Sequence, residues 1–318
     1  MGNQRQVLRP RRAAVPGRRQ ARRRLVTTWA DIACKLDGIT HVRHAALTFN
    51  GTWGAGLVQY PSLVAGALPD LVEEIPVPYP ASFGPLGGDA SSMSYSQSVQ
   101  WAFNWVSQWL AANPLRTFCL IGYSQGAEAA ARVAMALMGG SLAHYLPNFI
   151  GGITFGPPCR GAGFHAPTIA DPGGRGIANV NMASLPAIGG RVVWADYVHS
   201  KANGDAGDDM YGVVPMGAVG QVMTDVYNIA TQVQLNNIGL LTTNVIDGLT
   251  YAVKDAVSAP LAAIEAAGDG IAFLAAPGGP TAPHISYGGE IDGYSNLLPA
   301  ATTFLGEIAD LTPARTAA

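Results

Sequence analysis

The sequence predicts an α/β fold, a three-layer arrangement with a mostly parallel central sheet. Three observations carry that expectation. Short apolar runs alternate with helical apolar stripes between residues 45 and 195, the rhythm of βαβ units. A Gly-x-Ser-x-Gly pentapeptide, Gly122-Tyr123-Ser124-Gln125-Gly126, falls at one strand-to-helix junction. The chain, 318 residues at 48% apolar content, can bury a core of that size.

In chain order, residues 1–44 read as a tail with one short helix near 28–36, and residues 45–318 as the folded body. Residues 45–49 form a buried strand running into the glycine-rich loop Asn50-Gly51-Thr52-Trp53-Gly54. Residues 75–80 are proline-rich and suit only an edge strand or extended loop, because proline cannot donate to a ladder. Val99, Phe103, Val106 and Leu110 make one helical stripe, ended by Asn113-Pro114. Tyr95-Ser96-Gln97-Ser98 echoes the pentapeptide without flanking glycines, so its serines are expected to cap that helix. A strand at 118–121 enters the pentapeptide and an Ala-rich helix at 127–138 leaves it. Further strands are expected at 149–155, running into Gly156-Pro157-Pro158, and at 191–195, leading into Asp196-Tyr197-Val198-His199. Residues 216–276 break the rhythm with three successive apolar stripes and only six charges. They read as a helical insertion packed on the sheet, able to serve as a lid or as an apolar wall for an acyl chain.

Charge is unevenly distributed. Residues 1–24 carry nine arginines and no acid, which leaves a formal −11 on the remainder. The folded body is therefore not a nucleic-acid binder. The tail suits either a solvated terminus or an anionic partner. Arg22-Arg23-Arg24 is not followed by the apolar stretch of a secretion signal, and no run of about 18 apolar residues suggests a membrane span. Cys34, Cys119 and Cys159 are too few and scattered for a disulfide framework. No metal-ligand spacing and no phosphate-binding glycine loop occurs, so neither metal nor cofactor is expected.

The pentapeptide between strand and helix has the form of a nucleophile elbow, a strained turn that lifts the serine hydroxyl clear of the sheet. Gly122 and Gly126 suit it because side chains there would clash where helix crosses strand. Ser124 needs a base, and hydrolases with this elbow follow the order Ser, Asp or Glu, His. His284, in the Gly/Pro-rich loop 278–284, is the base that order selects; His199, directly after a strand, is its rival. Asp196, Asp205, Asp208 and Asp209 all follow the strand at 191–195, and spacing does not choose among them. The loop 203–209 lacks the terminal Glu of a calcium loop. For an oxyanion, the N–H of Gln125 supplies one donor and the loop after the first strand a second, at Thr52.

These segments together resemble the lysin B esterases of phages that infect mycobacteria and their mycolate-bearing relatives. The resemblance spans residues 45 to the end. Thr48-Phe49-Asn50-Gly51-Thr52 resembles the family's strand ending in His-Gly-Thr, and 122–127 its elbow. Residues 155–164 look like its Gly-Asn-Pro-x-Arg-x-x-Gly-Phe stretch, and Asp208-Asp209-Met210-Tyr211 like its Gly-Asp-Met-Tyr. Pro283-His284 is similar to its histidine loop. The resemblance implies a cutinase-like α/β-hydrolase with a helical insertion between aspartate and histidine, and singles out Asp209 as the acid. It further implies a monomeric, cofactor-free esterase that cuts mycolic acids from arabinogalactan. Such an enzyme is made in the host cytoplasm, touches outer-membrane lipids transiently and acts at the envelope during lysis. A general cutinase-like lipase or an acyltransferase would use the same residues. Asn50 stands where the family has histidine, and Asp208 where it has glycine, which keeps Asp208 as an alternative acid. The arginine tail does not resemble the peptidoglycan-binding module that some relatives carry.

Overall fold

The computed structural model describes residues 42–84, 91–232 and 279–315. The arginine tail with its expected helix near 28–36, and the second and third apolar stripes of 216–276, lie outside the described residues.

Five strands form one sheet. They are β1 (His44–Phe49), β2 (Val72–Pro76), β3 (Phe118–Tyr123), β4 (Phe149–Phe155) and β7 (Trp194–Tyr197), in the order β2-β1-β3-β4-β7, every neighbouring pair parallel. Strands of a parallel sheet are covered on both faces, so they need unbroken apolar runs. β1, β3 and β4 are buried at every position. β2 carries Glu73, Glu74 and Pro76 and takes the edge, where proline's missing donor costs nothing.

Helices cover both faces. Leu47, Phe49, Phe118 and Leu120 pack with Val99, Val106 and Leu110 of α2 (Tyr95–Ala112) and with the alanines of α3 (Gln125–Gly139). Ala46, Cys119, Ile121 and Ile153 point the other way, toward α1 (Tyr60–Gly66) and α5 (Leu298–Ala309). Side chains alternate between the two cores along β1 and β3, the period-two geometry of a pleated sheet. The three layers are those expected, with neither α1 nor α5 among the anticipated elements. The signal for α5 is nonetheless present, since Ala301, Phe304, Leu305 and Ile308 form its buried stripe at helical spacing.

Two expectations need correction. Residues 191–195 are not one strand. Gly189 and Gly190, both at positive φ, close a tight hairpin between β5 (Ala187–Ile188) and β6 (Arg191–Val192), so the sheet strand starts only at Trp194. The cap of α2 is Ser94, not Ser96 or Ser98. Ser94 accepts from the Gln97 N–H while the Gln97 side chain accepts from the Ser94 N–H, a reciprocal capping box. Ser98 is instead buried and donates to Gln125 Oε1 at 3.3 Å.

The first stripe of 216–276 forms α4 (Ala218–Thr231). Tyr227 fixes it to α3: the hydroxyl donates to the buried carboxylate of Glu128 and lies 2.8 Å from that of Tyr95. Glu128 also accepts from Arg132 one turn on, so this buried charge is paired and hydrogen-bonded.

Candidate active site

Ser124 joins β3 to α3 at φ 56°, ψ −120°, a conformation costly for any residue with a Cβ. Although it is the N-cap of α3, its side chain makes no capping bond, which leaves the hydroxyl for other work. The two glycines let the elbow exist. A Cβ on Gly122 would lie 2.5 Å from Gly126 O, and one on Gly126 would lie 2.2 Å from Phe49 O.

His284 lies in a short 3-10 turn, Gly279–Ile285. Its Nε2 is 2.8 Å from Ser124 Oγ and its Nδ1 is 2.8 Å from Asp209 Oδ2. With Nδ1–H donated to a carboxylate, Nε2 is left as the acceptor for the serine hydroxyl. The ring stacks on Tyr123 (centroids 5.3 Å apart), whose hydroxyl donates to the His284 carbonyl at 3.0 Å. Ser124, His284 and Asp209 are all buried, Asp209 completely.

Burial pushes the Asp209 carboxyl toward its neutral form. The neighbouring His284, the Tyr287 hydroxyl donating to the same Oδ2, and the Tyr211 N–H donating to Oδ1 at 2.9 Å outweigh it and hold the pKa below the usual carboxylate range. The backbone of Asp209 is fixed as well, its N–H donating to His199 O at 2.9 Å. Gly156, at the end of β4, makes room for the pair. A Cβ there would sit 2.6 Å from His284 Cε1 and 2.9 Å from Asp209 Oδ2, and its φ is +57°.

The other three aspartates point elsewhere. Asp208 is exposed and accepts from the Lys201 N–H at 2.8 Å. Asp196 accepts from Thr154 and from Trp194 Nε1, and burial holds its carboxyl above the ordinary range. Asp205 lies 3.0 Å from His199 Nδ1 and accepts from the Ser200 and Ser295 N–H groups. His199 is therefore engaged away from Ser124. Arg160, fully buried, donates to the carbonyls of Gly212, Phe164 and Gly173, tying the 157–173 loop to the turn that follows Asp209.

Gln125 occupies the first position of α3, where a backbone N–H has no intrahelical acceptor. Its side chain is held by Ser98 and by the Ser82 carbonyl. The loop bearing Thr52 is braced by Asn50, which donates to the carbonyls of Gly54 (2.8 Å) and Leu57 (2.6 Å), and by Gln59 Oε1, which accepts from the Gly51 N–H. Gly51 lies against the elbow: a Cβ there would be 3.1 Å from Ser124 Cβ. Tyr287 had no signal in spacing or motif, and Tyr123 only its place inside the pentapeptide. Gly156 had its place at the end of an expected strand and in the 155–164 stretch. Among the described residues no cluster of three potential metal ligands occurs, and no helix is long and apolar enough to cross a membrane.

The solved structure of lysin B from mycobacteriophage D29 aligns over 83% of this chain and 99% of its own, at a TM-score of 0.53 and 20% identity. This chain has the fold of lysin B. That fold is a parallel α/β sheet covered by helices on both faces. A cutinase-like protein from Cryptococcus covers 60% of this chain and 96% of its own (TM-score 0.33, 18% identity). The catalytic core domain of acetyl xylan esterase from Trichoderma reesei covers 62% and 98% (TM-score 0.39, 17% identity). No protein-family model and no curated protein matches the sequence.

Proposed function

We propose that this protein is a serine esterase in which Ser124 is the nucleophile, His284 the general base and Asp209 the residue that orients and stabilises the imidazolium. The observation that carries the reading is the unbroken hydrogen-bond chain from Ser124 Oγ through both nitrogens of His284 to Asp209 Oδ2. Ser124 Oγ attacks the ester carbonyl as its proton passes to His284 Nε2. The N–H groups of Gln125 and Thr52 stabilise the oxyanion. Collapse of the tetrahedral adduct expels the alcohol, which takes the proton from His284. Water, deprotonated by the same nitrogen, then releases the acid and restores the serine.

The substrate we infer is the ester joining mycolic acids to arabinogalactan, whose cleavage would loosen the host envelope during phage lysis. The named relative of shared fold supports this, as do the motifs around Asp209 and Met210. So does an apolar rim. Leu57, Val58, Leu63 and Ile285 are exposed on the loop beside the elbow, on α1 and next to His284, and Tyr60 ties the two sides by donating to Ile285 O at 2.9 Å. Such a rim suits a long acyl chain better than a small polar substrate. Purified protein should release free mycolic acids from isolated mycolyl-arabinogalactan, and Ser124→Ala protein should not. Hydrolysis of short-chain esters with the polymer untouched would leave a general cutinase-like esterase. Transfer of the acyl group to an added sugar would make it an acyltransferase.

A further inference from the structure

An open groove of about 440 Å³ runs along the outer side of the first turns of α2, lined by Ser91, Met93, Gln97, Gln100, Trp101 and Asn104. Its surroundings are unusual in one respect. From residue 90 to residue 115 the sequence contains no charged side chain. A helix with one face in water ordinarily carries charges on that face. The exposed positions of α2 around the groove are instead Ser96, Gln97, Gln100, Trp101 and Asn104.

Trp101 is not there for the core. Four-residue steps advance about 40° around a helix. Trp105 and Trp109 thus rotate inward from Trp101 and pack partly buried against the core, Trp109 edge-on to Phe118 at 6.2 Å. Trp101 stays on the rim, 36% exposed. Gln100 Nε2 donates to Asn104 Oδ1 at 2.9 Å, which sets a carbonyl of one amide and an N–H of the other on adjacent turns beside the indole. A flat aromatic face takes the C–H face of a sugar ring, and paired amides take its hydroxyls. None of the six lining residues is charged, so they give no ionic hold on a phosphate or on a peptide of either sign.

We propose that this groove is a docking site for a neutral polysaccharide. It lies on the helix that braces the elbow from its other face. Ser98, about a quarter-turn round α2 from the groove, donates to Gln125, the residue after Ser124. A glycan held there would keep a glycan-linked ester on the enzyme. That role rests on the glycan-ester reading above; the binding does not, and the two fail separately.

The test is affinity electrophoresis of Ser124→Ala protein through gels containing soluble neutral arabinogalactan or dextran. Retardation by at least one neutral glycan is expected, about tenfold weaker in Ser124→Ala/Trp101→Ala and largely restored in Ser124→Ala/Trp101→Phe. On the active background, Trp101→Ala should leave short-ester hydrolysis unchanged while KM for the glycan-linked ester rises. Equal retardation with and without Trp101, or no retardation by either glycan, overturns the proposal. So does a concentration-dependent dimer that Trp101→Ala abolishes without any glycan effect, which would make the face a contact between two copies. Far-UV circular dichroism checks that α2 survives the substitution.

Discussion

Two buried histidine–aspartate pairs lie side by side in this protein, and only one of them faces a serine. His284 with Asp209 and His199 with Asp205 are built from the same side chains and share Tyr287, whose hydroxyl donates to Asp209 and whose ring stacks on His199 at 4.7 Å. In both, burial pushes the carboxyl up and donors outweigh it, so both carboxyls sit below their ordinary range. The difference lies at the imidazole nitrogens. His284 is hydrogen-bonded at both nitrogens, to Asp209 and to Ser124 Oγ, whereas neither nitrogen of His199 has a hydrogen-bond partner among the described residues: Nδ1 lies 3.0 Å from Asp205 without hydrogen-bond alignment, and the ring is flanked by Tyr287 and Tyr294. Asp205 spends its oxygens on the Ser200 and Ser295 N–H groups and staples two loops together. A carboxylate beside an imidazole is thus not by itself a general base. What matters is where the second nitrogen points and whether a nucleophile stands there.

The largest effect should come from His284. His284→Ala is expected to lower kcat on a short ester by about 10³-fold or more; near-normal turnover would hand the base role to His199. Gly156→Ala comes next, because its Cβ would strike His284 and Asp209 at once in a backbone already at positive φ. Displacement of the imidazole should cost about 10²-fold in kcat with the protein still folded, and unaltered kcat would show that the pair has slack. Tyr287→Phe removes one of two donors to Asp209 Oδ2. Turnover should fall about tenfold as Asp209 loses a donor that fixes its carboxylate. A purely structural role for Tyr287 would lower stability and leave kcat unchanged.

The pH dependence of stability probes the same pair. The folded-state pKa of Asp209 is depressed, so its contribution is present above the ordinary carboxylate value of 3.8 and is lost as pH falls through that value toward the folded one. Urea unfolding from about pH 6 to 3 should show declining stability, with a shallower decline in Asp209→Asn. The smallest catalytic effect should be that of His199→Phe, within about twofold in kcat, against a stability loss of about 1–3 kcal/mol from stranding Asp205. A collapse in kcat would merge the two pairs into one functional unit.

Much of the fold was legible because its signals are local. Unbroken apolar runs mark the parallel strands, the 99–110 stripe marks α2, and the two glycines around Tyr123-Ser124-Gln125 mark a turn that tolerates no side chain at its crossing points. The 191–195 run misled because β-forming residues do not say which strand they will pair with. The Gly189-Gly190 turn folds Arg191 and Val192 back onto β5 before the sheet strand begins. Ser94 was overlooked as a cap because the eye-catching serines, Ser96 and Ser98, sit already inside the helix.

By itself the sequence determined the layered α/β architecture and the elbow, since both follow from patterns a few residues long. It also narrowed the partners of Ser124 to one histidine with a rival and four aspartates; the family resemblance, not the spacing, preferred Asp209. Only the tertiary structure decided which of these groups meet. His284 is 160 residues from Ser124 and 75 from Asp209. Ser124 and Asp209 converge because β3 and β7 lie parallel in one sheet and send their following segments to the same end of it, and the separate turn Gly279–Ile285 brings His284 to them, held by the Tyr123 hydroxyl. Tyr287 and Gly156 belong wholly to that level. Each acts through a close approach that no periodicity in the chain records.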